Sequence, residues 1–186
     1  MLSHEASIRP AVIEDAPAIA QVHVESWKTT YKGILPEIVL DQLSVLDRTR
    51  FWSETLTEPP ARFLMLVACD DSGTIVGFAC GGVERTDKLG CDGELYAMYL
   101  LESSQRRGLG RLLLRQFVRE LRSTGFHSMA VWVLARNPAR KFYEALGGKF
   151  IAEQQIERGG ESHLEIAYGW SDLGDFEPQS VGQRQL

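Results

Sequence analysis

Cysteine is scarce in this chain, and its placement fits neither a disulfide framework nor a zinc site. The 186 residues contain three cysteines, Cys69, Cys80 and Cys91, which is an odd number. None of them forms the closely spaced pair that zinc ligands favour, and each lies in or beside an apolar run. We therefore expect reduced thiols and a cytoplasmic location.

The chain also lacks long apolar runs and an excess of positive charge. Its longest apolar run, residues 63–69, is far shorter than the about 20 residues that span a membrane, and the first ten residues contain no apolar signal core. The net charge of -5 argues against binding nucleic acid through general attraction to phosphate, and it favours cationic small substrates. We expect neither a membrane nor a nucleic acid as partner.

The composition is that of an ordinary globular protein. Hydrophobic residues make up 44% of the chain and charged residues 24%, and the length suits one domain. The polar, unpatterned end predicts a single domain over residues 1–173 and a C-terminal tail over residues 174–186.

Hydrophobic periodicity predicts strands and helices that alternate along the chain. The predicted strands cover residues 7–11, 62–70, 74–83, 94–101, 128–134, 149–157 and 163–170; the main predicted helices cover residues 15–31, 108–122 and 138–146. The short turns predict two hairpins, and the helix between the fourth and fifth strands predicts that these two are parallel. Strict alternation in the fourth strand would place Glu94, Tyr96, Met98 and Leu100 on one face.

Two closely spaced glycines stand where the fourth strand gives way to a helix. Gly108 and Gly110 let the backbone turn without side chains, so that N–H groups at the helix start can face an anion. The stretch lacks the Gly-Lys-Ser/Thr of a nucleoside-triphosphate loop, and Leu113 replaces the third glycine of a dinucleotide fingerprint. A pyrophosphate suits such a site.

This junction resembles the phosphate motif of the GNAT superfamily of acyl-CoA-dependent N-acyltransferases, Q/R-x-x-G-x-G/A, at residues 105–110. The segments "IRPAVIEDAPAI" and "NPARKFYEALGGKF" are similar to other parts of the family pattern, so the resemblance covers residues 7–170. It implies an α/β fold with a mixed, mostly antiparallel sheet of about seven strands and helices on both faces. It also implies acetylation of a primary amine by direct attack on acetyl-CoA, with neither a metal nor a covalent enzyme intermediate.

The resemblance further implies which residues bind acetyl-CoA. The backbone of Met98, Tyr99 and Leu100 would contact the pantetheine arm. The pyrophosphate would be held by Gln105, Arg106, Arg107, Gly108, Leu109, Gly110 and Arg111. The other side of the arm would be lined by Asn137, Ala139, Phe142 and Tyr143.

Two residues are candidates for catalysis. Tyr143 matches the tyrosine that protonates the departing thiolate in many family members, although a tyrosine on this apolar helix face could also belong to the core. Glu94 matches a glutamate of the family, and it could act as a base through water, because an amine of pKa about 10 must lose a proton before it attacks. It could equally anchor a cationic substrate or bind a neighbouring residue.

Several alternatives stay open at the level of the sequence. A domain that binds CoA as a sensor or scaffold would keep the same glycine motif without turnover. The acceptor could be a small-molecule amine or a protein N-terminus or lysine, and a homodimer is compatible with either. Trp27 and Tyr31 could form a wall of the acceptor pocket, although an aromatic pair at this spacing is more often part of a core. His23, on the same helix, is interpreted as structural.

Overall fold

The computed structural model describes residues 6–176, which contain seven strands and five α-helices. The strands are β1 (Ser7–Pro10), β2 (Leu64–Cys69), β3 (Ile75–Val83), β4 (Gly93–Leu100), β5 (Met129–Leu134), β6 (Lys149–Arg158) and β7 (Glu161–Trp170). The helices are α1 (Ala16–Thr30), α2 (Glu37–Asp41), α3 (Val45–Thr57), α4 (Leu109–Ser123) and α5 (Arg140–Ala145).

The strands form one mixed sheet in the order β1-β2-β3-β4-β5-β7-β6. Neighbouring strands are antiparallel except β4 and β5, which α4 connects as a parallel pair. The two predicted hairpins are β2–β3 and β6–β7. The predicted fold class is therefore confirmed.

Helices cover both faces of the sheet. On one face α4 buries Leu113, Phe117 and Leu121 against β2 and β3. On the other face α1 and α3 pack over the same strands, and Ile19 and Trp52 are among the residues buried there. This layering confirms the helices expected on both faces of the sheet.

A β-bulge interrupts β4 in its middle. Leu95 pairs with Gly81, and the next pair along β3 joins Cys80 to Ala97, so Tyr96 has no partner of its own. One extra residue in a strand bends it and shifts the faces to which later side chains belong.

Strict alternation along β4 is therefore a wrong prediction. Met98 and Leu100 pack against the core on the α4 side, whereas Tyr96 and Tyr99 pack on the side of α1 and α3. A period of two cannot anticipate an inserted residue, because the bulge depends on the pairing with β3.

The last described residues continue the core beyond β7. The ring of Phe176 lies 5.7 Å from that of Trp170, and the indole N–H of Trp170 donates to the carbonyl of Leu146 at 2.8 Å. Residues 177–186 of the predicted tail lie outside the described residues. Across residues 6–176, no helix has both the length and the apolar character needed to cross a bilayer.

Candidate active site

A cleft opens where β4 and β5 diverge. The two strands pair only from Gly93 to Leu95 on β4 and from Met129 to Val131 on β5. The bulge at Tyr96 follows at once, and beyond it β4 makes no further ladder pairs with β5. The resulting cleft has a volume of about 620 Å³, and one edge of the β4 backbone faces it.

Most of the predicted site residues line this cleft. They are Met98, Tyr99, Leu100, Gln105, Arg106, Gly108, Gly110, Arg111, Asn137, Ala139, Phe142 and Tyr143. Three predicted residues do not line it. Leu109, the first residue of α4, is buried in the core, and Arg107 is exposed. Glu94 forms an ion pair that is described below.

The glycine junction has the backbone geometry of an anion site. Gly108 precedes the first residue of α4 with a φ of +85°, and Arg106 has a φ of +59°, so the chain turns sharply there. The side-chain amide of Gln105 donates to the carbonyl of Leu100 at 3.0 Å, which ties the turn to the end of β4. The N-terminus of a 15-residue helix and the guanidinium groups of Arg106 and Arg111 therefore face the same end of the cleft.

Gly110 lets three elements approach one another at this end. A Cβ atom there would lie 3.2 Å from Cδ1 of Leu100 on β4, 3.6 Å from Cε of Met98 and 3.7 Å from Phe142 on α5. The missing side chain leaves room beside the first turn of α4.

The turn before α5 forms the opposite wall. Asn137 is buried, and its carbonyl oxygen accepts from the backbone N–H of Ala139 at 2.9 Å. This bond closes the turn, and α5 begins at Arg140, slightly later than the predicted start at Pro138. Asn137 also lines the cleft beside Tyr31, and as a hydrogen-bond partner it lowers the pKa of the Tyr31 hydroxyl.

Tyr143 lies in the cleft wall with only 6% of its surface exposed. Burial raises the pKa of its hydroxyl above the ordinary value, and the nearby Tyr31 raises this pKa further. The hydroxyl therefore stays protonated at neutral pH, as a proton donor must.

Glu94 is held by Arg85 on the preceding segment. The carboxylate is 1% exposed and accepts from the backbone N–H and the Nε of Arg85, each at 3.1 Å, and from its Nη2 as well. The guanidinium of Arg85 also lies 4.3 Å from the ring centre of Tyr96. Arg85 therefore links Glu94 to Tyr96 at the bulge of β4. The predicted role of Glu94 as a base stays a prediction.

On the α1 side of the cleft, the sequence offered only Trp27 and Tyr31 as a possible pocket wall, and it favoured a core pair there. Thr29, Thr30, Tyr31 and Trp132 line this side, and the rings of Trp27 and Tyr31 form an edge-to-face pair at 4.9 Å. The helical spacing of Trp27 and Tyr31 was the only local signal, and it fits a core pair equally well. Trp132 on β5 had no such signal, because its exposure depends on the divergence of two strands.

His23 is buried behind this side of the cleft. Its ring stacks on Tyr99 at 5.4 Å, and its Nδ1 accepts from the indole N–H of Trp52 at 3.3 Å. Burial, together with the charge of Arg48, lowers the pKa of His23 to about 4. The imidazole is therefore neutral at physiological pH, in keeping with the structural role expected from the sequence.

Comparison with known proteins places the chain in a family. The model of the family described as FR47-like protein matches residues 76–156. The uncharacterized N-acetyltransferase YuaI of Bacillus subtilis is 41% identical over 90% of this chain and 94% of its own length. The chain belongs to the GNAT superfamily of N-acetyltransferases. The resemblance seen in the sequence is confirmed, and so is the expected enzyme class, an acyltransferase.

More distant GNAT relatives cover nearly the whole chain. The L-amino acid N-acyltransferase MnaT of Escherichia coli is 27% identical over 95% of this chain and 99% of its own. The solved structure of yncA from Salmonella typhimurium, which includes its cofactor acetyl-CoA, matches with a TM-score of 0.67 at 18% identity. It covers 97% of this chain and 99% of the other, so the likeness in fold extends over nearly the whole length of both.

Proposed function

We propose that this GNAT protein transfers an acetyl group from acetyl-CoA to the primary amine of a small molecule by direct attack. The observation that supports it best is the cleft between β4 and β5, which joins an unpaired strand edge to the glycine junction of α4. A relative solved with acetyl-CoA has the same fold.

The residues along the cleft fit acetyl-CoA. The backbone N–H groups of the glycine junction, together with Arg106 and Arg111, would hold the pyrophosphate. The free edge of β4 at Met98 and Leu100 offers peptide groups to the amide-containing pantetheine arm, in the manner of a strand partner. The side-chain NH₂ of Asn137 and the ring of Phe142 complete the opposite wall.

The same geometry suggests how the chain assists the reaction. A backbone N–H near Met98 or Tyr99 stabilises the negative charge that develops on the carbonyl oxygen. Tyr143 donates a proton to the departing thiolate, whose thiol has an ordinary pKa of about 8.5, so the contribution is modest. The amine loses its proton to water, with or without help from Glu94.

A small acceptor is favoured by the contacts beside the α1 side of the cleft. The segment between α1 and α2 follows Tyr31, and Arg136 donates to the carbonyl of its Gly33 at 2.8 Å. The turn between β6 and β7 packs against Val39 of α2 and against Pro36, since a Cβ atom on Gly159 would lie 2.5 Å from Val39 and 3.1 Å from Pro36. Segments held together in this way leave less room for an extended protein chain than for a free amine. The amino-acid acceptor in the name of MnaT makes amino acids the first candidates.

A panel of amines tests this function. We would measure CoA release from acetyl-CoA with L-amino acids, L-methionine sulfone, diamines, and peptides with free N-termini or lysines. We expect turnover with at least one small amine and none with the peptides. Turnover with peptides alone would assign a protein acceptor. Tight binding of acetyl-CoA without any turnover would instead support the sensor or scaffold alternative.

A further inference from the structure

An acidic residue stands beside the far end of the cleft on β7. Trp132 on β5 lines the cleft and pairs with Ala167, and the next pair on the same face joins Leu134 to Glu165. Side chains two residues apart on a strand share a face, so Trp132 and Glu165 are diagonal neighbours on adjacent strands. This face is the one that packs Trp132 with Ala167, opposite to the α4 side.

The carboxylate of Glu165 has no cationic partner among the residues that the structure describes. One oxygen, Oε2, accepts from the side-chain amide of Gln154 at 3.0 Å, and Oε1 accepts from no described residue. Glu165 is half-buried, so its charge is only partly screened by solvent. A half-buried carboxylate with a free oxygen can accept a hydrogen bond from a cationic ligand.

Tyr31 closes the other side of this space. It lines the cleft together with Trp132. Burial raises the pKa of the Tyr31 hydroxyl, Tyr99 and Asn137 lower it as hydrogen-bond partners, and the negative charge of Glu165 raises it again. Two aromatic rings therefore line the cleft, and Glu165 stands next to one of them, Trp132, on the neighbouring strand.

We propose that Glu165, beside Trp132 at the margin of the cleft, binds the acceptor as an ammonium ion and so determines the preference for amines. This proposal rests on the proposed function and names a residue of its acceptor site. An aromatic face attracts a cation, and the carboxylate supplies the opposite charge and a hydrogen-bond acceptor. Glu94 is poorly placed for this task, because Arg85 already occupies both of its oxygens.

The test compares two probes of equal shape, benzylamine and benzyl alcohol, which differ mainly in charge. Each would be titrated by ligand-observed NMR into protein saturated with CoA, so that no reaction takes place. We expect the wild type to bind benzylamine about 5- to 10-fold more tightly than the alcohol, as suits a charge pair at a partly exposed site. Glu165→Gln should bind the two probes equally, whereas Glu165→Asp should keep part of the preference.

Glu161→Gln is the matched control, because it removes the same charge from an exposed position on the same strand. It should keep the preference of the wild type. Unchanged CoA affinity in each variant shows that the protein is folded.

Two results would overturn the proposal: a wild type without preference for the amine, or a Glu165→Gln protein with the preference intact. The amine panel decides the proposed function separately. Turnover combined with an unchanged preference in Glu165→Gln rejects Glu165 alone, and a Glu165-dependent preference without turnover rejects only the enzymatic function.

Discussion

The two ends of the cleft differ in the groups that form them, which are backbone groups at one end and side chains at the other. The end proposed to bind the pyrophosphate, here called the phosphate end, consists of backbone groups at the start of α4, and two glycines of short spacing make it possible. The end proposed to bind the acceptor, here called the acceptor end, is lined by side chains from α1 and β5 with β7 beside them, and these elements meet only in the folded sheet. A site made by local backbone leaves a readable pattern in the sequence, whereas a site made by distant side chains does not.

The largest expected effect concerns the phosphate end. Gly110→Val places a branched side chain within contact of Leu100 and Phe142, where the cofactor must approach the first turn of α4. We expect the Kd for acetyl-CoA, measured by calorimetry, to rise about 100-fold, or ~2.7 kcal/mol. Leu112→Val, on the exposed face of the same helix, introduces the same side chain away from the cleft at a small cost in helix propensity, and it should bind normally. Normal binding by a folded Gly110→Val protein would remove the glycine junction from the site.

The next effect lies at the middle of the cleft, where the two ends meet. Tyr143→Phe should lower kcat by about 10- to 100-fold and leave acetyl-CoA affinity nearly unchanged, because general acids act in the transition state. Tyr168→Phe is the control, since the hydroxyl of Tyr168 hydrogen-bonds with Arg140 and Glu144 of α5. Tyr168 does not line the cleft. If kcat stayed the same while single-turnover kinetics showed chemistry to be rate-limiting, Tyr143 would be a core residue.

The sequence predicted the fold, and it indicated the proposed phosphate end, because their signals are local. Alternation and turn residues define the strands, and the spacing of Gly108 and Gly110 defines the junction. The bulge at Tyr96 and the pairing of Glu94 with Arg85 depend on the register between β3 and β4. No stretch of one strand contains that information.

The acceptor end was anticipated only in part, at Tyr31, for a similar reason. Tyr31 has the spacing of a core residue, and Trp132 belongs to an apolar run that reads as an ordinary buried strand. Each becomes a cleft residue only because β4 separates from β5. These residues are exposed to the cleft because two strands separate in the folded protein. No local sequence pattern records that separation.

A smaller effect concerns pH and the support behind the acceptor end. Since the pKa of His23 is about 4 in the folded protein and about 6.5 when unfolded, the unfolded state binds more protons between these values. Stability is therefore lost as pH falls from 6.5 towards 4. From pH 7.5 to pH 5, we expect His23 to account for roughly 2 kcal/mol of the fall in the free energy of unfolding.

Urea denaturation at several pH values would measure this loss. His23→Gln offers an amide oxygen to Trp52 but does not titrate, so its stability should fall less on acidification than that of the wild type. His127→Gln removes an exposed histidine and should follow the wild type. Parallel pH curves for wild type and His23→Gln would show that His23 is not held neutral by burial.

The smallest expected effect would show whether Glu94 takes part in the reaction or only stabilises the fold. Its carboxylate is buried and bound by Arg85, but Arg85 is more than half exposed, so water can solvate the guanidinium if the pair is broken. We therefore expect Glu94→Gln to lower the free energy of unfolding by about 1 to 2 kcal/mol and to change kcat little. Arg85→Met should give a larger loss, because it leaves the buried carboxylate of Glu94 without a counter-charge.

A pH series of kcat and kcat/KM on the amine found in the panel separates the other roles. A base predicts a loss of kcat that is largest near neutral pH and partly recovers as higher pH supplies neutral amine, whereas a substrate anchor predicts a higher KM for the amine at unchanged kcat. Either result, without a loss of stability, would contradict the structural role.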